Sequence, residues 1–333
     1  MNSSKRKYLV LLVLVLFIAP FLLINCKGEE KDPVVKTKKG LEIIAPKNDL
    51  KFTFGELIKL DFKANEAVEK IVVLANQKTI ASKTEQTGAF SLEVDTKLVG
   101  LGMQVLVIQT KLKSGKTIND SRRILVLSDV QPKELKVVEV QAYPHRDSSY
   151  TQGLEFYNGK LYEGTGQFGA SMVAKTNWKT GAIEKKVALL EKYFGEGITI
   201  FNDKLYQITW KSRKCFIYNP ETLEREVEME YFGEGWGLTH DSTHLIMSNG
   251  SNEITFRNPD NLAEERRIKV VDDRNEIVNL NELEYFNGSI WANVYQTPFI
   301  VEIDPETGKV LSKIDGSALD AKKQMGADVF NGI

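Results

Sequence analysis

The chain has 333 residues, with 44 basic and 45 acidic side chains and a net charge of −1. A hydrophobic fraction of 42% and a charged fraction of 27% describe a globular protein with room for two domains. Near neutrality gives no electrostatic ground for a nucleic-acid or polyanionic partner. The three histidines, His145, His240 and His244, fall in no zinc spacing, so a built-in metal site is not expected; no cofactor is expected either.

In chain order, the first element is a targeting segment. Lys5, Arg6 and Lys7 precede an almost unbroken apolar run from Tyr8 to Leu23, and Leu23-Ile24-Asn25-Cys26 follows. This resembles a bacterial lipobox, which makes residues 1–26 a lipoprotein signal peptide and Cys26 the lipidated mature N-terminus. A plain anchor helix is the other reading. Either one leaves the body outside the cytoplasm, lipid-anchored or otherwise held at a membrane, in the periplasm or at the cell surface. Residues 27–40 (KGEEKDPVVKTKKG) are polar and charged and read as a flexible tether.

Residues 41–131 carry short strand candidates, LEIIAP, LIKLDFKA, KIVVLAN, FSLEVD, QVLVIQTKL and RRILVLS, separated by polar turns and with no helix-period stretch. Six or seven strands in this length predict an immunoglobulin-like β-sandwich without the Cys…Trp…Cys core. It shows no catalytic constellation. A spacer and a ligand-binding module both remain open.

After Gln131-Pro132-Lys133 a repeat takes over, from residue 135 to 333. Its starts read TQGLEFYNGKLYEGTG from Thr151, GEGITIFNDKLYQITW from Gly195, GWGLTHDSTHLIMSNG from Gly235 and LNELEYFNGSIWANVY from Leu280. Each is followed by an Asn or Asp turn: NWKTG, NPETL, NPDNL and DPETG. A period of about 39–46 residues in short strands predicts β-propeller blades. A fifth start, Phe330-Asn331-Gly332-Ile333, closes the sequence. The expectation is therefore an all-β chain, a five-bladed propeller with most of its last blade missing, and a natural chain longer by roughly one blade. Cys215, in the strand-like run KCFIYNP, reads as a buried structural thiol.

Aligning the starts puts Gln152, Glu196, Trp236, Asn281 and Asn331 in one register, expected to converge on the central channel. A second register, at the end of the following strand, holds Gly166, Trp210, Gly250 and Tyr295. Rings and a few polar groups at a channel mouth suit a small ligand. Glu196, between two glycines and near Phe194, Trp210 and Trp236, is expected to be desolvated and therefore able both to take and to give a proton. A carboxylate satisfied by the glycine turn is the alternative. Glu234 reads as a turn carboxylate, Glu163 as structural, and Glu282 and Glu284 as surface or inter-blade groups. Gln152 and Asn281 suit the fixing of an amide or amine.

The runs YPHRDSSYTQGLEF, LYEGTGQFG, YFGEGITIF, LYQITWK, GEGWGLT, LIMSNGS, LNELEYFNG and IWANVY resemble the plant-type glutaminyl cyclases, or glutamine cyclotransferases, over about residues 137–333. That resemblance implies a five-bladed propeller converting the N-terminal Gln of peptides or proteins to pyroglutamate with release of ammonia. It implies Glu196 as general base and acid, Gln152 and Asn281 as orienting amides, and Tyr150, Phe194, Trp210, Trp236 and Tyr295 as an aromatic wall. Tyr150 stands where the family usually has Phe, and Tyr295 where it has Trp. The family's pocket Lys is not among these residues. No metal is implied, and a monomer is the expected state. A non-catalytic propeller lipoprotein binding peptide N-termini or a small ligand is the alternative function, and an interaction scaffold a third.

Overall fold

A computed structural model describes residues 40–322 and 329–333. The signal segment, Cys26 and the tether lie outside the described residues.

The first six strands are β1 (Leu41–Ala45), β2 (Leu50–Thr53), β3 (Leu57–Ala75), β4 (Lys78–Asp95), β5 (Gly102–Leu112) and β6 (Thr117–Leu127). They form one hydrogen-bonded sheet in the order β1-β3-β5-β6-β2, with β4 also paired to β3. The runs LIKLDFKA and KIVVLAN, which read as two strands, are one strand. β3 carries both across a register shift between Ala64 and Val68. β1 pairs with its first half and β5 with its second. Alternate residues of both halves, Ile58, Leu60 and Phe62, then Ile71 and Val73, enter a single core with Leu106, Ile108 and Ile124. One helical turn, α1 (Thr96–Val99), capped by the Asp95 carboxylate, interrupts a segment that read as free of helix.

This sheet is docked, not strung on a loose linker. Glu276 Oε1 accepts from the Met103 N–H at 2.7 Å, Lys269 Nζ donates to the Met103 carbonyl at 2.6 Å, and Ser128 N–H donates to the Asp272 carbonyl at 2.9 Å. Lys309 pairs with Asp129 at 2.7 Å.

Four small sheets follow. The first holds β8 (Thr151–Tyr157), β9 (Lys160–Thr165), β10 (Met172–Asn177) and β11 (Ala182–Ala188). The second holds β12 (Gly195–Phe201), β13 (Lys204–Thr209), β14 (Lys214–Tyr218) and β15 (Arg225–Glu230). The third holds β16 (Leu238–His240), β17 (Leu245–Ser248), β18 (Glu253–Arg257) and β19 (Glu264–Lys269). The fourth holds β20 (Leu280–Phe286), β21 (Ser289–Val294), β22 (Phe299–Ile303) and β23 (Val310–Asp315). Each is an antiparallel meander in sequence order. β7 (Lys133–Lys136) adds a parallel fifth strand to the edge of the last. A helical turn, α2 (Ser317–Asp320), follows β23.

Composition dictates which strand faces inward. GEGITIF of β12 is buried at every position, whereas REVEME of β15 is almost wholly exposed. The first strand of each sheet therefore packs on its neighbours' first strands: β8 on β12, β12 on β16, β16 on β20, and β20 back toward β8. This is a propeller-like ring. At the seam between β20 and β8 lies the irregular segment 330–333. There Asn331 Nδ2 donates to the Thr151 carbonyl at 3.0 Å, Gly332 N–H to Asn293 Oδ1 at 3.0 Å, and Ile333 N–H to Glu282 Oε2 at 3.0 Å.

The predicted Asn and Asp turns are one device used four times. Asn177, Asn219, Asn258 and Asp304 each accept the N–H two residues on, at 2.8–3.0 Å. Four residues on, the chain is left-handed, at Gly181, Leu223, Leu262 and Gly308. Leu223 and Leu262 tolerate that backbone because their side chains are buried, and apolar burial offsets the steric cost.

Candidate active site

Three of the four sheets break their ladder where the candidate residues stand. Register shifts fall between Thr151 and Gly153, between Gly195 and Ile198, and between Leu280 and Leu283. Such bulges re-aim side chains out of the strand's alternation. Here they govern Gln152, Glu196 and Asn281, all less than a tenth exposed. Trp236 precedes β16 in a segment held by Ser248, whose carbonyl accepts the Trp236 N–H at 3.1 Å and whose Oγ accepts the Gly237 N–H at 2.7 Å.

The amides form a chain. Asn281 Nδ2 donates to Asn331 Oδ1 at 3.1 Å, and Asn331 Nδ2 donates to Gln152 Oε1 at 3.1 Å. Asn331 therefore links the first and fourth sheets, in the register the alignment assigned it.

The rings also assemble. Phe194 meets Tyr150 edge-on at 6.1 Å, Phe168 at 5.4 Å and Trp210 at 5.8 Å. Trp236 meets Tyr295 at 5.4 Å. The second register explains the spacing. A Cβ on Gly166 would lie 2.5 Å from the Phe194 ring, and one on Gly250 would lie 2.5 Å from Trp236. Small residues in two sheets make room for rings, while Trp210 and Tyr295 supply rings in the other two. Phe168 was not anticipated, because it follows the register by two residues in a loop.

Glu196 is 5% exposed, and its carboxyl makes no hydrogen bond among the described residues. The glycine-turn alternative is thus not what the backbone does: the Gly195 N–H donates to Ser171 Oγ at 2.9 Å and the Gly197 N–H to the Trp236 carbonyl at 2.8 Å. Burial pushes Glu196 well above the ordinary carboxylate range, and the charge of Glu234 pushes it further. Glu234 is the second residue that sequence reasoning undervalued. Its Oε2 accepts the Trp210 indole N–H at 2.9 Å and the Trp236 indole N–H at 3.4 Å. The signal was present in Gly233-Glu234-Gly235-Trp236, a repeat of the Gly-Glu-Gly around Glu196 displaced along the chain.

The remaining acids are structural. Burial alone would raise Glu163, but donation from His145 (2.9 Å), Thr151 (2.7 Å) and Ser149 (3.2 Å) holds it below the ordinary value. Of the two positions expected for Glu282, surface or inter-blade, it takes the second. It is fully buried between sheets, accepting the N–H of Leu154 at 3.3 Å and of Ile333 at 3.0 Å. Cys215 is buried, which pushes its thiol up to about 12.

At the opposite end of the inner strands, Glu155 and Glu284 line a cavity of about 380 Å³ with Trp178, Leu154 and Ile333. A more open groove of about 490 Å³ lies by Arg213, Phe232 and Arg257. Neither cavity is lined by Glu196. Burial raises Glu155 to about 7, with the Thr199 hydroxyl bond opposing it, and raises Glu284 to about 8, assisted by the charge of Glu155. Raised carboxyls stabilise the fold fully below the unfolded value near 4.5, and that stability is lost as pH climbs through 7–8. The wild-type protein should lose roughly 3 kcal/mol more than a Glu284→Gln variant between pH 5 and pH 9 in urea unfolding. Parallel pH profiles for the two proteins would show that Glu284 ionises freely in the folded state.

Residues 106–333 match the glutamine cyclotransferase family model. The match begins inside β5, earlier than the motifs, which had suggested about residue 137. A glutaminyl-peptide cyclotransferase of Arabidopsis thaliana is 33% identical over 227 residues, covering 66% of this chain and 68% of its own length. The crystal structure of Myxococcus xanthus glutaminyl cyclase is 31% identical with a TM-score of 0.57, over 61% of this chain and 88% of its own. The family model spans more than half the chain and includes every bulge residue and ring described above, so this chain belongs to the glutamine cyclotransferase family.

Proposed function

We propose that the protein is a glutaminyl-peptide cyclotransferase that converts N-terminal Gln to pyroglutamate and releases ammonia. The α-amine nitrogen attacks the side-chain amide carbon. A C–N bond closes the ring, the C–N bond to the amide nitrogen breaks, and that nitrogen leaves as NH₃. One proton must travel from the attacking nitrogen to the leaving one. Glu196 carries it, as general base and then as general acid. The observation behind this role is a buried carboxyl with no hydrogen-bond partner among the described residues, placed at the head of an inner strand where its charged form is disfavoured. Gln152 and Asn281, joined through Asn331, orient the amine and amide. Tyr150, Phe194, Trp210, Trp236 and Tyr295 wall the site. Holding amine and carbonyl carbon together supplies much of the rate, because the closure is intramolecular.

The test is ammonia release from a Gln-initiated peptide. A folded protein that binds the peptide without turnover would leave only the ligand-binding reading.

Phe330–Ile333 lies between β20 and β8 with Asn331 in the common register, which supports a ring of five modules. The long β3, with its register shift and both halves on a shared core, supports an immunoglobulin-like leader. The basic and apolar run before Cys26 supports a lipid-anchored envelope protein facing outside the cytoplasm. A Cys26→Ala change is expected to abolish labelling by a fatty-acid probe and to release the protein from membranes. Undiminished labelling would exclude Cys26 as the anchor.

A further inference from the structure

We propose that Glu234 is a positioning residue that fixes both indole walls of the site by clamping Trp210 and Trp236 on one carboxylate. This deepens the cyclisation reading and rests on it. Trp210 follows β13 in the second sheet and Trp236 leads into β16 of the third, so no ladder joins them. Glu234 Oε2 is the shared acceptor, at 2.9 Å and 3.4 Å. Its other oxygen lies 3.9 Å from Lys211 Nζ, and that ammonium sits 4.0 Å above the Trp210 ring. Charge-assisted bonds to a carboxylate are about twice as strong as neutral ones. The main chains touch only where the Gly235 N–H reaches the Trp210 carbonyl at 3.4 Å, and the Glu234 side chain is what ties the two indole rings to each other.

The same carboxylate has an electrostatic consequence. Among the described residues, Glu234 is the one charged group that raises Glu196 in addition to burial. The other titratable groups among the described residues around this end of β12 are Lys211, which pairs with Glu234; Tyr231, whose hydroxyl donates to the Thr209 carbonyl; and the phenols of Tyr150, Tyr193 and Tyr295. β8 presents the uncharged Gln152 there, while Glu155 and His240 lie at the far end of the inner strands. Removing the Glu234 charge lowers the Glu196 pKa, so the base form persists to lower pH.

The experiment uses the full chain and two readouts. The first is the indole N–H proton resonances of Trp210 and Trp236, assigned with Trp→Phe variants. In Glu234→Gln both should move upfield, and in Glu234→Ala their exchange with water should quicken about tenfold or more. The second is the pH profile of cyclisation. Glu234→Gln should raise KM about tenfold and shift the acidic limb of kcat/KM to lower pH, with Glu234→Ala worse than Glu234→Gln. Loss of packing alone does not move that limb. Indole resonances unmoved in Glu234→Gln would overturn the clamp, and an unmoved limb would overturn the coupling to Glu196. A wild-type protein that fails to cyclise Gln peptides sinks the functional reading instead, and the indole resonances still decide the clamp.

Discussion

A Glu196→Gln variant is expected to lose about a thousandfold in kcat for a Gln-initiated peptide while keeping the wild-type melting temperature within a few degrees. The amide has the shape of the acid but cannot carry a proton between two nitrogens. Burial already disfavours the charged carboxylate, so a neutral isostere costs little stability and restores some above neutral pH. The wild-type enzyme should show an acidic limb in kcat/KM at a pH above the ordinary Glu value, because base catalysis needs the ionised form that burial penalises. This limb should vanish in the variant. Turnover by Glu196→Gln at the wild-type rate would remove Glu196 from proton transfer.

Gly237→Ala is expected to cost about 4 kcal/mol or more, a large share of the roughly 5–15 kcal/mol that holds a folded protein together. Gly153, Gly197 and Gly237 occupy one register in the first three sheets, and all three face backbone of the neighbouring sheet. A Cβ on Gly153 would lie 2.6 Å from the Ile198 nitrogen, and one on Gly237 would collide with the Asn281 carbonyl. The clash is with main chain on both sides, so no rotamer change relieves it. In the fourth sheet the same register holds Glu282, whose carboxyl group reaches across the seam to the N–H groups of Leu154 and Ile333. The first three sheets thus join by close backbone approach, while at the seam a side chain spans a wider gap. Urea unfolding of Gly237→Ala beside the exposed-turn control Gly288→Ala measures the difference. Gly288 has open space around it but a left-handed backbone, so its cost should stay near 1 kcal/mol. Equal stability of the Gly237→Ala variant and the wild type would mean the sheets are not packed this closely.

Repeats make much of this site readable from residues alone. Once the five starts are aligned, Gln152, Glu196, Trp236, Asn281 and Asn331 share a position, and a ring of equivalent strands must bring equivalent positions near one axis. The burial gradient is equally legible, because GEGITIF can only be interior and REVEME only exterior. The leader was less legible. LIKLDFKA and KIVVLAN read as separate strands because the polar residues between them resemble a turn, whereas pairing with β4 carries the ladder across that break. Glu234 read only as a turn carboxylate and Phe168 went unnoticed because both lie in loops, where no periodicity ties sequence position to direction.

The sequence by itself determined the strand-rich modules, their turns, their inward faces and the family to which they belong. These follow from local chemistry: Asn and Asp side chains close turns, glycine admits close approach, and apolar alternation selects a face. Only the tertiary structure decided which side chains share a partner. Bulges turned Gln152, Glu196 and Asn281 off the strand alternation, and one carboxylate bridged indoles from two sheets. Such contacts depend on where separate backbones stop relative to one another, a long-range packing outcome that no local pattern encodes.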